Sequence, residues 1–309
     1  MAMQCSSSIN SSLLPGLVFK TINTVIPPVS SHWVGDAFKV FPVFNNLAFT
    51  NDISPFLMFD YGAPNTFQPS SKRKGVGQHP HRGFETVTIA FQGEVQHHDN
   101  QGNTGIIGPG DVQWMTAARG IVHEEYLSPS FMKTGGVVEM CQLWVNLPRK
   151  LKMTAPKYQP ILAGDIKDVE LADGCGVARV IAGSLNGVVG PAHTHSPIDL
   201  WDLQLRPGRA LTISMPEGHN TILFVRRGKV RIGGEGEPGR VLTSNPPSTV
   251  LLSQSGSALR ITPEGDEEPS VLVLSGQPLN EPIAARGPFV MCTNEELSQA
   301  MRDYQNGEF

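Results

Sequence analysis

The chain has 309 residues, enough for two ordinary domains or one large one with a substantial core. Lys and Arg number 24 against 28 Asp and Glu, a net charge of -4 with no long run of one sign, which argues against direct nucleic-acid binding, where clustered cations meet phosphate. Its four cysteines, Cys5, Cys141, Cys175 and Cys292, are scattered and form no CxxC pair, excluding zinc-ribbon and thioredoxin-like motifs and fitting a reducing, cytoplasmic compartment.

Residues 1–30 read as a flexible tail: the serine-rich start has neither the charged opening nor the apolar centre of a secretory signal. No apolar run reaches the roughly 18 to 20 residues of a membrane-spanning helix. Beyond the tail, 32 glycines and 25 prolines cut short runs rich in Val, Ile, Thr and Phe at turn signals such as Gln92-Gly93, Pro109-Gly110, Pro207-Gly208 and Arg227-Gly228. Many short strands imply an all-β sandwich or barrel. The basic trio Lys72-Arg73-Lys74 is a solvated loop.

The informative clusters come next. His79-Pro80-His81 and His123-Glu124-Glu125 lie on strand-like sequence, and residues two apart on a strand point the same way. His79 and His81 therefore form one two-toothed comb, and His123 and Glu125 another. Three neutral imidazoles and a carboxylate suit one divalent ion, Fe, Cu, Ni, Mn or Zn, with positions left for substrate or dioxygen. Glu85 offers a competing carboxylate: on an unbroken strand it faces the same way as His81, unless Gly83 bends the chain. Its other role would be to hold a ligand imidazole by the second ring nitrogen. Phe84, Phe91, Gln113, Trp114 and Met115 are candidate pocket residues, with Gln113 and Trp114 the leading pair.

A repeat organises the rest. Thr86–Val95 and Thr221–Val230 share one pattern at an offset of 135 residues, as expected of tandem copies of one β unit. The same offset carries His79 to Ser214, His81 to Pro216, His123 to Ala258 and Glu125 to Arg260, so the second copy lacks the ligands. A further pair, His193 and His195, falls about twenty residues too early and is read as locally hydrogen-bonded. Residues 31–150 are thus assigned to the first barrel and 151–309 to the second. The chain closes on a helix opened by the capping box Thr293-Asn294-Glu295-Glu296, with Leu297, Ala300, Met301 and Tyr304 on one face and Gly307 as its stop.

Four stretches, His79–Thr88, Gly108–Ala117, Gly120–Glu125 and Gln142–Pro148, closely resemble the pirin family of the cupin superfamily, and the likeness extends through Gly287–Met291 and the final helix. The resemblance implies two tandem cupin (jelly-roll) barrels with a C-terminal α-helix, one metal in the first barrel and none in the second. It implies His79, His81, His123 and Glu125 as ligands and iron as the ion. Some pirins resemble quercetin 2,3-dioxygenases, which implies dioxygen and a flavonol as substrates, with Glu125 as general base. Others resemble redox-responsive regulators that bind transcription factors or metabolic enzymes. A monomer is expected.

Overall fold

The computed structural model describes residues 17–234 and 239–309. The expected flexible tail is corrected in its second half, because Ile22–Ile26 is a strand paired with Ser248–Leu252. Residues 1–16, Cys5 among them, lie outside the described residues.

Two units of the same topology face each other. In the first, the large sheet runs Lys157–Ile161, Val112–Thr116, Phe84–Gln92, Gly136–Asn146, Phe56–Phe67, Phe38–Pro42, His32–Val34, and the small sheet runs Gly75–His81, Ile121–Leu127, Val95–Asp99, Thr104–Ile107. In the second, the large sheet runs Ile22–Ile26, Ser248–Leu252, Asn220–Arg227, Ser270–Gly276, Ile198–Leu205, Gly176–Ala182, Asp168–Glu170. Its small sheet runs Leu211–Ser214, Ala258–Pro263, Lys229–Ile232, Arg240–Thr243. Read in that order, the first five strands of each large sheet correspond one to one, as do the small sheets. The repeated segment is the strand, glycine turn and strand at the middle of each unit, with Gly93 and Gly228 at positive φ where the chain reverses.

The division at 150/151 is also corrected. Lys157–Ile161 borders the first unit on Val112–Thr116, whereas Ile22–Ile26 borders the second, so each unit takes an edge strand from the far side of the expected boundary. Covering an edge removes a row of unpaired backbone donors and acceptors. The terminal helix Asn294–Gln305 begins as expected: Thr293 Oγ1 accepts from the Glu296 amide at 3.2 Å, and Glu296 returns a bond to the Thr293 amide. Its Leu297 and Ala300 pack on Phe289 and Met291. Arg82 of the first unit pairs with Asp303 and lies 4.2 Å from the Phe309 ring centre, so the helix serves the first unit as well.

Strand parity explains where the cores sit. Val87, Ile89, Trp114 and Leu143 join Leu200, Phe224, Leu251 and Leu274 in one buried layer between the two large sheets. The interior of the second unit is filled by Val180, Leu203, Leu223, Val225, Leu259, Val271 and their neighbours. The interior of the first unit has its main apolar cluster at one end, around Ala90, Val95, Ile107 and Met140. Between the units, buried Glu139 accepts from Arg226 and Arg227, each at 3.0 Å, from Tyr61 at 2.9 Å and from Gln92 at 2.8 Å. Burial opposes ionisation of Glu139, but these partners outweigh it and hold the carboxyl below its usual range. Cys141, Cys175 and Cys292 are buried free thiols, and no helix among the described residues is long and apolar enough to cross a membrane.

Candidate metal centre

The polar end of the first unit holds the histidines. His79 lies opposite His123 across the small sheet, and His81 opposite Ile121. The three imidazoles of His79, His81 and His123 converge, each offering a ligand atom within 4.8 Å of the others. Ring centres are 4.2 Å apart for His79 and His123, and 4.9 Å for each of the other two pairs. His81 and His123 are buried, while His79 is partly reached by solvent.

The donor chemistry fits a divalent metal. The Gly77 carbonyl, 2.8 Å from His79 Nδ1, can only accept, so Nδ1 carries the proton and Nε2 keeps its lone pair. His81 Nδ1 and His123 Nε2 are buried without a hydrogen-bond partner, a costly state that a bound cation relieves. Burial, reinforced by the neighbouring histidines, holds both rings well below the usual histidine range. Neutral imidazole is the form that binds metal.

Glu125 sits two residues along from His123 and is buried beside it. Its carboxylate accepts from Gln113 Nε2 at 3.2 Å, Gln142 Nε2 at 3.1 Å and Thr88 Oγ1 at 3.5 Å, and it stands outside the tight triad of imidazoles. Glu85 is turned elsewhere. Gly83, at φ +90°, follows the strand Gly75–His81, and Glu85 is the second residue of Phe84–Gln92 in the large sheet. A Cβ at Gly83 would lie 1.9 Å from the Val290 carbonyl oxygen, so this corner requires glycine. Glu85 accepts from Thr116 Oγ1 at 2.6 Å and lies 3.9 Å from His195 Nε2. Burial pushes its carboxyl up to about 7. The expected hold of Glu85 on a ligand imidazole is not formed among the described residues: its carboxylate bonds to Thr116, and the imidazole near it is that of His195, outside the triad.

The proposed pocket residues divide by strand parity. The Phe84 ring meets His81 edge-on, with centres 5.2 Å apart, and lies tilted 4.2 Å from Trp144, and Gln113 holds Glu125, so both border the site. Met115 is on the same face as Gln113 but packs with Ala117, Ile121 and Tyr158. Trp114 and Phe91 belong to the layer between the units, Phe91 under the Arg226 guanidinium at 4.0 Å, which corrects their expected role. His193 is exposed, its backbone exchanging hydrogen bonds with the Gln159 side chain, and neither it nor His195 joins the triad. Arg73 of the basic trio covers the Tyr126 ring at 3.6 Å and pairs with Glu124.

The sequence reading missed His97, Asp99, Trp144, Tyr158, Thr88 and Gln142. His97 is buried, with Nδ1 3.3 Å from His123 Nδ1 and Nε2 2.9 Å from Asp99 Oδ2. Tyr158 stacks on His97 at 4.6 Å and donates to Gln113 Oε1 at 3.2 Å. Alternation alone puts His97 and Asp99 on the same face as Val95, the buried face of this strand, but their role depends on contacts far away in the chain.

Known proteins agree with this picture. The family model named Pirin matches residues 37–145, and the one for the Pirin C-terminal cupin domain matches residues 200–309. A Pseudomonas aeruginosa protein named "putative quercetin 2,3-dioxygenase" is 50% identical over 278 residues, 90% of this chain and 94% of that protein. Human pirin is 35% identical over 261 residues, 83% of each chain. The crystal structure of quercetin 2,3-dioxygenase from Acinetobacter baumannii superimposes with a TM-score of 0.88 at 44% identity, covering 94% of this chain and 99% of that one. The paired sandwiches, the histidine cluster in the first of them and these matches together place the chain in the pirin family, as a protein of two cupin domains.

Proposed function

We propose that this pirin is a metal-dependent dioxygenase of flavonol-type phenols, opening the central ring with dioxygen and releasing carbon monoxide. The observation that carries the reading is the convergence of three imidazoles beside a buried carboxylate. His79, His81, His123 and Glu125 would hold the ion, iron in this reading. When bound, the ion supplies Lewis acidity and open positions for substrate and dioxygen.

The chain's own residues do the rest. Glu125 takes the proton of the flavonol 3-hydroxyl, leaving an electron-rich enolate. Gln113 and Gln142 each donate to one of its oxygens, which fixes the carboxylate for that transfer. Phe84 and Trp144 give an aromatic wall beside His81, suited to an aromatic substrate. The partly exposed edge of His79 marks the side of entry. Names borne by the Pseudomonas and Acinetobacter relatives support the same substrate class.

The test is oxygen uptake by iron-loaded protein with quercetin and other flavonols, with carbon monoxide measured alongside. Stoichiometric uptake and release are expected. Full metal occupancy without oxygen consumption on any flavonol overturns the enzymatic reading and favours a partner-binding role.

A further inference from the structure

Asp99, His97 and His123 form a line of hydrogen bonds which, with Asp99 ionised and His97 neutral, admits one placement of protons. Asp99 Oδ1 accepts from the Gln101 amide at 2.9 Å and the Asn103 amide at 3.0 Å, and Oδ2 accepts from Asn103 Nδ2 at 2.9 Å. An ionised carboxylate only accepts, so His97 Nε2, 2.9 Å from Oδ2, carries a proton. A neutral imidazole has one N–H; His97 Nδ1 is then bare and must accept. The atom facing it at 3.3 Å is His123 Nδ1, which therefore donates. That leaves His123 Nε2 bare, the buried nitrogen that has no partner in the protein.

We infer that Asp99 and His97 are positioning residues that lock His123 in the Nδ1–H tautomer and so keep its Nε2 lone pair free for the metal. His97 is fully buried and stacked on Tyr158, so the relay is geometrically fixed. The inference rests on the metal-centre reading, but it is read out in metal-free protein, so the two fail separately.

The Asp99→Asn variant reverses the line. Backbone donors at Oδ1 keep the amide oxygen there, which turns the amide nitrogen toward His97 Nε2. His97 must then protonate Nδ1, and His123 must protonate Nε2. The equivalent His97→Gln side chain keeps the original polarity, its oxygen accepting from His123 and its nitrogen donating to Asp99. His97→Phe keeps the stack on Tyr158 and loses both bonds.

The experiment is 15N imidazole NMR of metal-free protein, with iron or zinc titrations of each variant. Wild type is expected to show His123 bare at Nε2 and protonated at Nδ1. Asp99→Asn should exchange the two, and both it and His97→Phe should weaken metal binding roughly 10- to 100-fold, with His97→Gln near wild type. A protonated His123 Nε2 in wild type, an unchanged tautomer in Asp99→Asn, or undiminished metal affinity in His97→Phe overturns the inference. Should Asp99→Asn fail to fold, the wild-type spectrum and the two His97 variants decide.

Discussion

Ser214 lies opposite Ala258 in the small sheet of the second unit, in the same register in which His79 lies opposite His123 in the first. The two pairs are related by the 135-residue offset of the repeat. Where the first unit places imidazoles, the second has a hydroxyl and a methyl group over an interior of Val, Leu and Ile. One ion per chain is therefore expected by elemental analysis of the purified protein. His123→Ala should bring the content to near zero, since the second unit offers no replacement.

Glu125→Gln should cut oxygen uptake by about 10²- to 10⁴-fold, the usual worth of a positioned general base. The substitution also sets an amide N–H against the Gln113 or Gln142 donor, so that one of these two bonds is lost as well. Carbon monoxide release with quercetin, compared at equal metal content, measures the effect.

Glu85→Gln should leave metal content unchanged, because Glu85 bonds to Thr116 and lies outside the triad. Its effect is on stability against pH. The folded carboxyl is raised from 4.5 to about 7, so folding takes up a proton between those values. The contribution is fully present below pH 4.5 and is lost as pH rises through about 7, a change of about 3 kcal/mol at roughly 1.4 kcal/mol per pK unit. Denaturant unfolding of the two proteins from pH 4.5 to 8 should show that Glu85→Gln flattens this slope and is the more stable form at pH 8.

Glu139→Ala should destabilise the protein by roughly 3 kcal/mol, since it removes one partner of a buried ion pair. Arg226 would keep only Asp202, at 3.9 Å, as a carboxylate neighbour. Thermal unfolding checks the magnitude. Arg227, about half exposed, contributes the smaller part, and Arg227→Ala should shift the midpoint by much less.

Short-range periodicity carried most of what could be read in advance. The two-residue repeat of a strand was enough to bring His79, His81 and His123 together, and the 135-residue offset was enough to show that only one unit keeps them. Parity failed where a single residue breaks it. Across Gly83 the count restarts, which sends Glu85 to the opposite face and puts Phe84 beside His81. Trp114 and Gln113 are adjacent, hence on opposite faces, and could not both line one pocket. His97 looked ordinary because its role depends on His123, 26 residues away, and on Tyr158, 61 residues away, contacts that exist only once the sheets close. Strand borrowing between units is likewise a long-range pairing that leaves no local mark on Ile22–Ile26 or Lys157–Ile161.

That borrowing sets an order of events during synthesis. Tyr158, the ring stacked on His97, rides on Lys157–Ile161, which lies beyond the first unit's own last strand. A nascent chain that has emerged only as far as residue 150 possesses every histidine of the triad, yet it lacks the wall behind them. The histidine pocket is finished only when the linker has folded back, whereas Ile22–Ile26, the first described strand to leave the ribosome, waits for Ser248–Leu252 of the second unit before it has a partner.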